Sequence, residues 1–273
     1  MRTSSDDHHR LAVAIRRHAL NMTHDSNSSH VGSCLSIAEL LAVLYNAILR
    51  FDSNNPNWPD RDRFILSKGH AAAAFYAVLA ELGFFPKQRL ETFSQDGSSL
   101  AGHATRDAVP GVDVSTGSLG HGLSIGCGMA LAAKRDHKAY RVFVLLSDGE
   151  CDEGSTWEAA LFAHHHKLDN LVAVVDYNKI QSFGRVEEVL DLKPLADKWR
   201  AFGWGVREID GHNVVEIEDA LSATPYTDGP SCCIAHTTKG KGVSFMENQL
   251  EWHYKAPNDE QLRKAVEELA LQQ

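Results

Sequence analysis

Leu145-Leu146-Ser147-Asp148-Gly149-Glu150-Cys151-Asp152-Glu153-Gly154 is the stretch on which the fold turns. It is answered thirty positions after Asp148 by Asn178, in Val174-Val175-Asp176-Tyr177-Asn178-Lys179-Ile180. An apolar run, Val142 to Leu146, delivers Asp148 to a glycine-flanked turn, and a second run, Leu171 to Val175, delivers Asn178 to another. In a parallel α/β sheet both turns emerge at the carboxyl ends of their strands, where ligands bind. One carboxylate plus one amide oxygen is a small, hard donor set that suits Mg²⁺ or Ca²⁺, especially if a diphosphate completes the shell. An Asp-Gly after a strand is also an ordinary turn, so the pair alone leaves both readings open.

Outward from this stretch the chain alternates strand-like and helix-like segments. Arg63 to Leu66 reads as a short buried strand after the helix-breaking patch Asn54 to Asp60, and it ends in Ser67-Lys68-Gly69-His70. Further strands are expected at Arg141 to Leu146, Leu171 to Asp176, Gly205 to Ile209 and Cys232 to Thr237. Helical patterns fall around Trp157 to His166, Pro194 to Phe202 and Val214 to Ala223, and Pro257 to Leu271 reads as a closing amphipathic helix. Ser36-Ile37-Ala38-Glu39 has the form of a capping box, and the apolar face continued by Leu40, Leu41, Leu44 and Ile48 predicts a helix from about Ser36 to Leu49. The order is βαβ, which implies an α/β fold with a mostly parallel central sheet and helices on both faces. No repeat, low-complexity tract or linker divides it, so one domain over 1–273 is the economical expectation.

Composition narrows the function classes. A chain of 273 residues with 43% hydrophobic content can bury a substantial core, and a net charge of -9 without clustered Lys and Arg argues against a nucleic-acid surface. The stretch Met1 to Arg10 has no apolar segment behind a basic start, and the longest nearly uninterrupted apolar stretch, Ala71 to Ala80, is too short to span a bilayer. Five cysteines, Cys34, Cys127, Cys151, Cys232 and Cys233, are odd in number and lack zinc or redox spacing, so reduced thiols are expected. These points together predict a cytoplasmic protein with no membrane or nucleic-acid partner.

Two further patterns bear on the site. Thr116 to Gly128 carries Gly120, Gly122 and Gly126, which mimic a dinucleotide fingerprint, but no strand of any length precedes them. Glycine density here instead lets backbone approach a ligand or a neighbouring element closely. Of fifteen histidines, His164-His165-His166 sit consecutively on an expected helix, point in three directions and read as structural. His30, His70, His103 and His253 each lie in a loop beside glycine or at a turn, and loop histidines at several element ends can converge on one pocket.

Taken in order, His30-x-x-Ser33, Ser67-Lys68-Gly69-His70, Gly102-His103, Gly117-Ser118-Leu119-Gly120, Asp148-Gly149 with Asn178, Thr238-Lys239-Gly240-Lys241-Gly242-Val243 and Trp252-His253 resemble the amino-terminal half of transketolases. The resemblance covers nearly the whole chain and implies the diphosphate-binding domain of the thiamine diphosphate fold. Such enzymes use thiamine diphosphate and a divalent metal, Mg²⁺ or Ca²⁺, to move a two-carbon ketol unit from a ketose to an aldose. On that resemblance Asp148, Asn178 and the backbone carbonyl of Ile180 bind the metal, while Gly149, His70, Lys239 and Asn178 meet the diphosphate or its surroundings. Gly117, Ser118 and Leu119 would meet the aminopyrimidine, and Ser33 and His253 would lie beside the cofactor. His30, His103 and His253 would line the substrate channel and hydrogen-bond the ketose, and Glu153 would join a carboxylate network at a subunit interface. Because imidazole titrates near neutrality, both of its protonation states are expected to be accessible there.

The chain departs from the family at Ser147, where glycine is common, and at Tyr254, where glycine commonly follows the late histidine. Ser147 adds little bulk, whereas Tyr254 bears on the mouth of the channel. Full transketolases continue into a pyrimidine-binding domain and a carboxyl-terminal domain. The chain is therefore similar to the small subunit of split transketolases, which implies a separate carboxyl-terminal subunit, an α₂β₂ assembly and sugar phosphate substrates. Weighed beside this are an α subunit of a 2-oxo acid dehydrogenase, which would not be expected to carry the His30, His103 and His253 set, a non-catalytic cofactor-binding subunit, and a dinucleotide-dependent oxidoreductase.

Overall fold

Five strands form one sheet in a computed structural model that describes residues 4–272. Met1 to Thr3, the start of the stretch read above for a leader, and Gln273 lie outside the described residues. The strands are β1 (Arg63–Leu66), β2 (Val142–Ser147), β3 (Leu171–Tyr177), β4 (Gly205–Asp210) and β5 (Ser231–His236), in the order β1-β2-β3-β5-β4. Every pairing is parallel. All five expected strands are present to within a residue or two, and the fold class is α/β as anticipated.

The register fixes where ligands can sit. Leu66 lies opposite Leu145, Ser147 opposite Asp176, and Tyr177 opposite His236, so β1, β2, β3 and β5 end nearly level with one another. The residues that follow them, Ser67-Lys68, Asp148, Asn178 and Thr237, therefore emerge along one sheet edge.

Period-two alternation explains why the strands read as continuous apolar runs. Phe143 and Leu145 of β2 join the core on one face of the sheet, with Val172, Val174, Cys233 and Ala235. Val142, Val144 and Leu146 join the core on the other, with Leu171, Ala173, Val175, Cys232 and Ile234. Both faces are covered, so every position of β2 and β3 is buried.

The helices in chain order are α1 (Ser5–Asp25), α2 (Val31–Leu35), α3 (Ala38–Val43), α4 (Ala72–Glu81), α5 (Gly122–Arg135), α6 (Gly154–His165), α7 (Val186–Val189), α8 (Leu195–Ala201), α9 (Val214–Ser222) and α10 (Asp259–Ala270). Side chains of α1, α3, α4 and α9 fill the first core, and those of α5, α6 and α8 fill the second. Helices α1 and α10 each begin with a capping box, Ser4 with Asp7 and Asn258 with Gln261. Helices α1, α2, α4 and α7 have no counterpart among the expected elements. Among the described residues no helix is long and apolar enough to cross a membrane.

One sequence expectation fails in part. The helix predicted from Ser36 to Leu49 is present as α3 continued by a π-helical turn over Leu44–Ile48, but it starts at Ala38, after α2, and the capping box expected at Ser36 does not form. Ser36 is no N-cap: it closes α2 in right-handed conformation, and its hydroxyl donates to Asp176 Oδ2 at 2.8 Å. Glu39, expected to complete the box, instead meets Arg16 Nη2 at 2.6 Å and His212 Nδ1 at 3.0 Å. Both polar side chains are buried, and ionised partners reached through the tertiary fold bind them more strongly than helix-end amides do.

Candidate functional site

The sheet edge opens on a cleft of about 360 Å³ lined by two chemically different groups. The first consists of oxygens. Asp148 follows β2, is 2% exposed, and accepts hydrogen bonds from the backbone N–H of Gly149 at 2.8 Å and of Lys179 at 2.6 Å. Among the described residues no side-chain cation makes an ion pair with it. Burial, and next the neighbouring Asp176 charge, push the Asp148 carboxyl above the ordinary carboxylate range.

Asn178 follows β3, and its amide is held at both ends. Nδ2 donates to Asp176 Oδ2 at 2.9 Å, while Oδ1 accepts from Ile180 N–H at 3.2 Å. Lys179 between them is left-handed, φ 70°, which turns its N–H toward Asp148. The Ile180 carbonyl accepts from Lys239 Nζ at 2.9 Å.

Behind these groups lies a buried ion pair that the sequence reading did not identify. Lys68 Nζ and Asp176 Oδ2 are 2.5 Å apart, and both side chains are fully buried. Burial alone would oppose ionisation of Asp176. The Lys68 charge and hydrogen bonds from Lys68, Thr237 and Asn178 outweigh it and hold the carboxyl below its ordinary value. Removing one partner of such a pair typically costs about 3–5 kcal/mol, because the other charge is left buried and alone.

The second group lining the cleft consists of imidazoles. The His30 ring centroid lies 5.1 Å from that of His70, 5.8 Å from His103 and 5.0 Å from His253, and those of His70 and His253 are 5.9 Å apart. Four loops deliver them, tied by backbone bonds. His30 N–H donates to the His253 carbonyl at 2.9 Å, Ala104 N–H to the Gly69 carbonyl at 3.2 Å, and Thr116 N–H to the Ala104 carbonyl at 2.9 Å. His30 is left-handed, φ 74°, and its buried Nδ1 has no hydrogen-bond partner.

Lys239 Nζ lies 2.7 Å from His253 Nδ1. An ammonium can only donate, so Nδ1 accepts and the neutral ring carries its proton on Nε2.

The expectation that these imidazoles hold both charge states near neutrality fails for three of them. Burial first, then the charges of His103, Lys239 and Lys68, bring His30 down to about 4. His253 falls to about 3 through burial, Lys239 and His30, and His70 is pushed well below its ordinary value by burial and Lys68. Burial, with Lys68 beside it, also lowers Lys239. Crowding basic groups out of water disfavours every added positive charge, so these rings are neutral hydrogen-bonding groups at pH 7.

The remaining predicted residues divide. Ser33, Gly117, Leu119, Gly149 and Glu153 line the cleft, Ser33 almost fully buried and Glu153 exposed at the start of α6. Ser118 is exposed and does not line it, because the loop turns Gly117 and Leu119 inward on either side. The glycines of this loop serve close packing. A Cβ on Gly117 would sit 3.0 Å from His103 Cδ2, one on Gly126 would sit 2.6 Å from Val144, and one on Gly122 would overlap Ser67. Of His164, His165 and His166 none lines the cleft, in keeping with their structural reading.

Sequence reasoning also missed Glu150, a fully buried carboxyl that accepts from Gly120 N–H at 2.9 Å and from Ser67 Oγ. Burial raises it above the usual range. Its position in the Asp148 turn, two residues from a carboxylate already singled out, was the available signal. Asp152, Gln181 and Phe183 also line the cleft, with Phe183 85% exposed. Tyr254, expected at the channel mouth, packs its ring 4.7 Å from His253 and 6.0 Å from His30 and is 61% exposed.

Comparison with known proteins places this cleft in context. The transketolase thiamine diphosphate binding domain matches residues 7–273. The chain is 46% identical over 259 residues to the 6-deoxy-6-sulfo-D-fructose transketolase subunit SqwG of Clostridium sp. strain MSTE9, covering 94% of each. It is 43% identical over 256 residues to an apulose-4-phosphate transketolase subunit of Phocaeicola vulgatus, covering 93% of this chain and 91% of that one. The crystal structure of transketolase from Campylobacter jejuni superposes with a TM-score of 0.92 at 31% identity, covering 98% of this chain. The chain spans 43% of that longer protein.

Proposed function

The chain belongs to the transketolase family, and from that premise we propose that it is the thiamine diphosphate-binding subunit of a two-component transketolase. It transfers a two-carbon ketol unit from a ketose to an aldose. The observation that carries this reading is the meeting of an oxygen set and an imidazole set in one cleft at the carboxyl ends of a parallel sheet. Near-complete alignment to relatives named as transketolase subunits supports the split architecture. The dehydrogenase and oxidoreductase alternatives fall away with the family membership, and a cleft lined by every candidate residue except Ser118 argues against the non-catalytic one.

The donor chemistry fits a hard divalent cation. A buried carboxylate with no ion-pair partner among the described residues, an amide oxygen and a main-chain carbonyl are the oxygen ligands that Mg²⁺ favours, with Ca²⁺ as the alternative. Asp148, Asn178 and the Ile180 carbonyl would hold the metal, and Gly149, His70 and Lys239 the diphosphate. Gly117 and Leu119 would offer backbone groups to the aminopyrimidine, Ser33 would flank it, and Ser118 has no side-chain role in the cleft. When bound, thiamine diphosphate supplies the carbon nucleophile and electron sink through which the ketol unit passes.

His30, His103 and His253 would orient the sugar. The neutral His253 ring offers Nε2–H as a donor, and the unpartnered His30 Nδ1 is free to accept or donate according to tautomer. Glu153, exposed where the cleft meets α6, is placed to meet a partner subunit. That partner is a carboxyl-terminal transketolase subunit, most simply in an α₂β₂ assembly, which would supply the groups for the far end of a sugar phosphate. The free, buried cysteines support a cytoplasmic setting, and continuity of the sheet supports one domain over 1–273.

The test is reconstitution. The purified chain with thiamine diphosphate and Mg²⁺ is expected to be silent in ketol transfer and to become active on addition of the second subunit. Robust turnover by the lone chain would overturn the two-component reading.

A further inference from the structure

An amide that serves a metal must present its oxygen and not its NH₂, and nothing in the amide itself decides which end turns inward. At Asn178 the decision is made from behind. Asp176, fully buried near the end of β3, receives Asn178 Nδ2 at 2.9 Å on its Oδ2. The same oxygen accepts from Lys68 Nζ at 2.5 Å and Ser36 Oγ at 2.8 Å, and Oδ1 accepts from Thr237 Oγ1. With the nitrogen end bound to a carboxylate, Oδ1 of Asn178 is left on the far side, beside Ile180 N–H, and Asn178 is among the residues that line the cleft. Flipping the amide would bring Oδ1 against Asp176 Oδ2, two acceptors with no proton between them.

The geometry points to Asp176 as the positioning residue that fixes the Asn178 amide oxygen toward the metal and excludes a carboxylate from position 178. This rests on the proposed metal role of Asn178. Lys68 supplies the counter-charge that keeps a buried anion in this place, and Ser36 and Thr237 tether it to α2 and β5. A group behind a metal ligand commonly sets both its orientation and its donor atom.

A double-mutant cycle on the full chain tests the inference. Mg²⁺-dependent binding of thiamine diphosphate is measured by calorimetry, and thermal unfolding is measured without ligand. Asn178→Asp offers Mg²⁺ a formally better ligand, yet it is expected to weaken binding about tenfold or more, the usual size of an effect on a supported ligand. In an Asp176→Asn background the same change should cause no further loss. Ser36→Ala removes a bond to Asp176 without touching Asn178, and should lower the melting temperature while leaving affinity within about twofold. Asn178→Asp binding as tightly as the unsubstituted chain, while Asp148→Ala is defective, overturns the role of Asp176 alone. Absence of any Mg²⁺ dependence in the unsubstituted chain overturns the metal reading and this inference with it.

Discussion

The oxygen-lined wall of the cleft and its imidazole-lined wall face the same space but reach it by different routes. Asp148 and Asn178 each sit one residue beyond a strand buried along its entire length, so the sheet register alone brings them together. The four histidines come from loops separated by up to 223 residues of chain, and their meeting depends on loop-to-loop bonds such as His30 N–H to the His253 carbonyl. Electrostatically the walls are opposites. Burial raises the carboxyl at Asp148 and lowers the imidazoles at His30, His70 and His253, so both walls are held away from their charged forms. A site built this way suits a ligand carrying charge of both signs, as the proposed metal diphosphate would.

If the walls divide the labour, substitutions should divide with them. The largest effect is expected at the oxygen wall. Asp148→Ala should reduce metal-dependent affinity for thiamine diphosphate by more than ~100-fold, because a direct ligand is worth more than the residues that support one. Calorimetric titration checks this, and undiminished affinity would break the comparison at its root.

The imidazole wall should itself split. His103→Ala is expected to lower kcat/KM in the reconstituted enzyme by about 10²-fold with cofactor affinity nearly intact, as for a group that acts on substrate. His70→Ala should weaken the cofactor by about tenfold, as loss of a hydrogen bond to a charged group would. Steady-state kinetics and calorimetry on the two variants separate the roles, and the reverse pattern would mean that they are exchanged.

What the sequence made legible follows the same division. The oxygen wall was readable because strand, turn and ligand are contiguous, and an apolar run followed by Asp148-Gly149 carries the geometry with it. The histidines were readable only as candidates with local glycine context, and their convergence needed the family resemblance. Asp176 and Lys68 were not legible as a pair. They stand 108 residues apart, and nothing local to either announces that one will neutralise the other in the core. The same hidden anion defeated the capping box predicted at Ser36, since such a box is a local pattern and Asp176 reaches Ser36 through the tertiary fold. Glu150 was overlooked because Asp148 offered the simpler candidate ligand, although its buried hydrogen bond makes Glu150 a structural tie between the glycine loop and the Asp148 turn.

The smallest expected effects are on the pH dependence of stability in the unliganded chain, where the walls should act with opposite sign. His30 drops from 6.5 to about 4 on folding, so its contribution to stability is present above pH 6.5 and is lost as pH falls toward 4. Asp148 rises from 3.8 to about 6, so its contribution is present below pH 3.8 and is lost as pH rises toward 6. Melting temperatures measured across this range should show His30→Gln flattening the loss on acidification and Asp148→Asn flattening the loss on rising pH. An unchanged profile in both variants would remove the electrostatic half of the comparison.

Where the metal binds decides most directly between a working oxygen wall and an ordinary turn. A crystal structure of the chain with thiamine diphosphate, with Mn²⁺ replacing Mg²⁺ as an anomalous scatterer, should place one metal peak among the Asp148 carboxylate, Asn178 Oδ1 and the Ile180 carbonyl. The diphosphate should then lie between that peak and His70, Gly149 and Lys239. A metal peak elsewhere, or cofactor bound in the cleft with no metal touching those three oxygens, would contradict it.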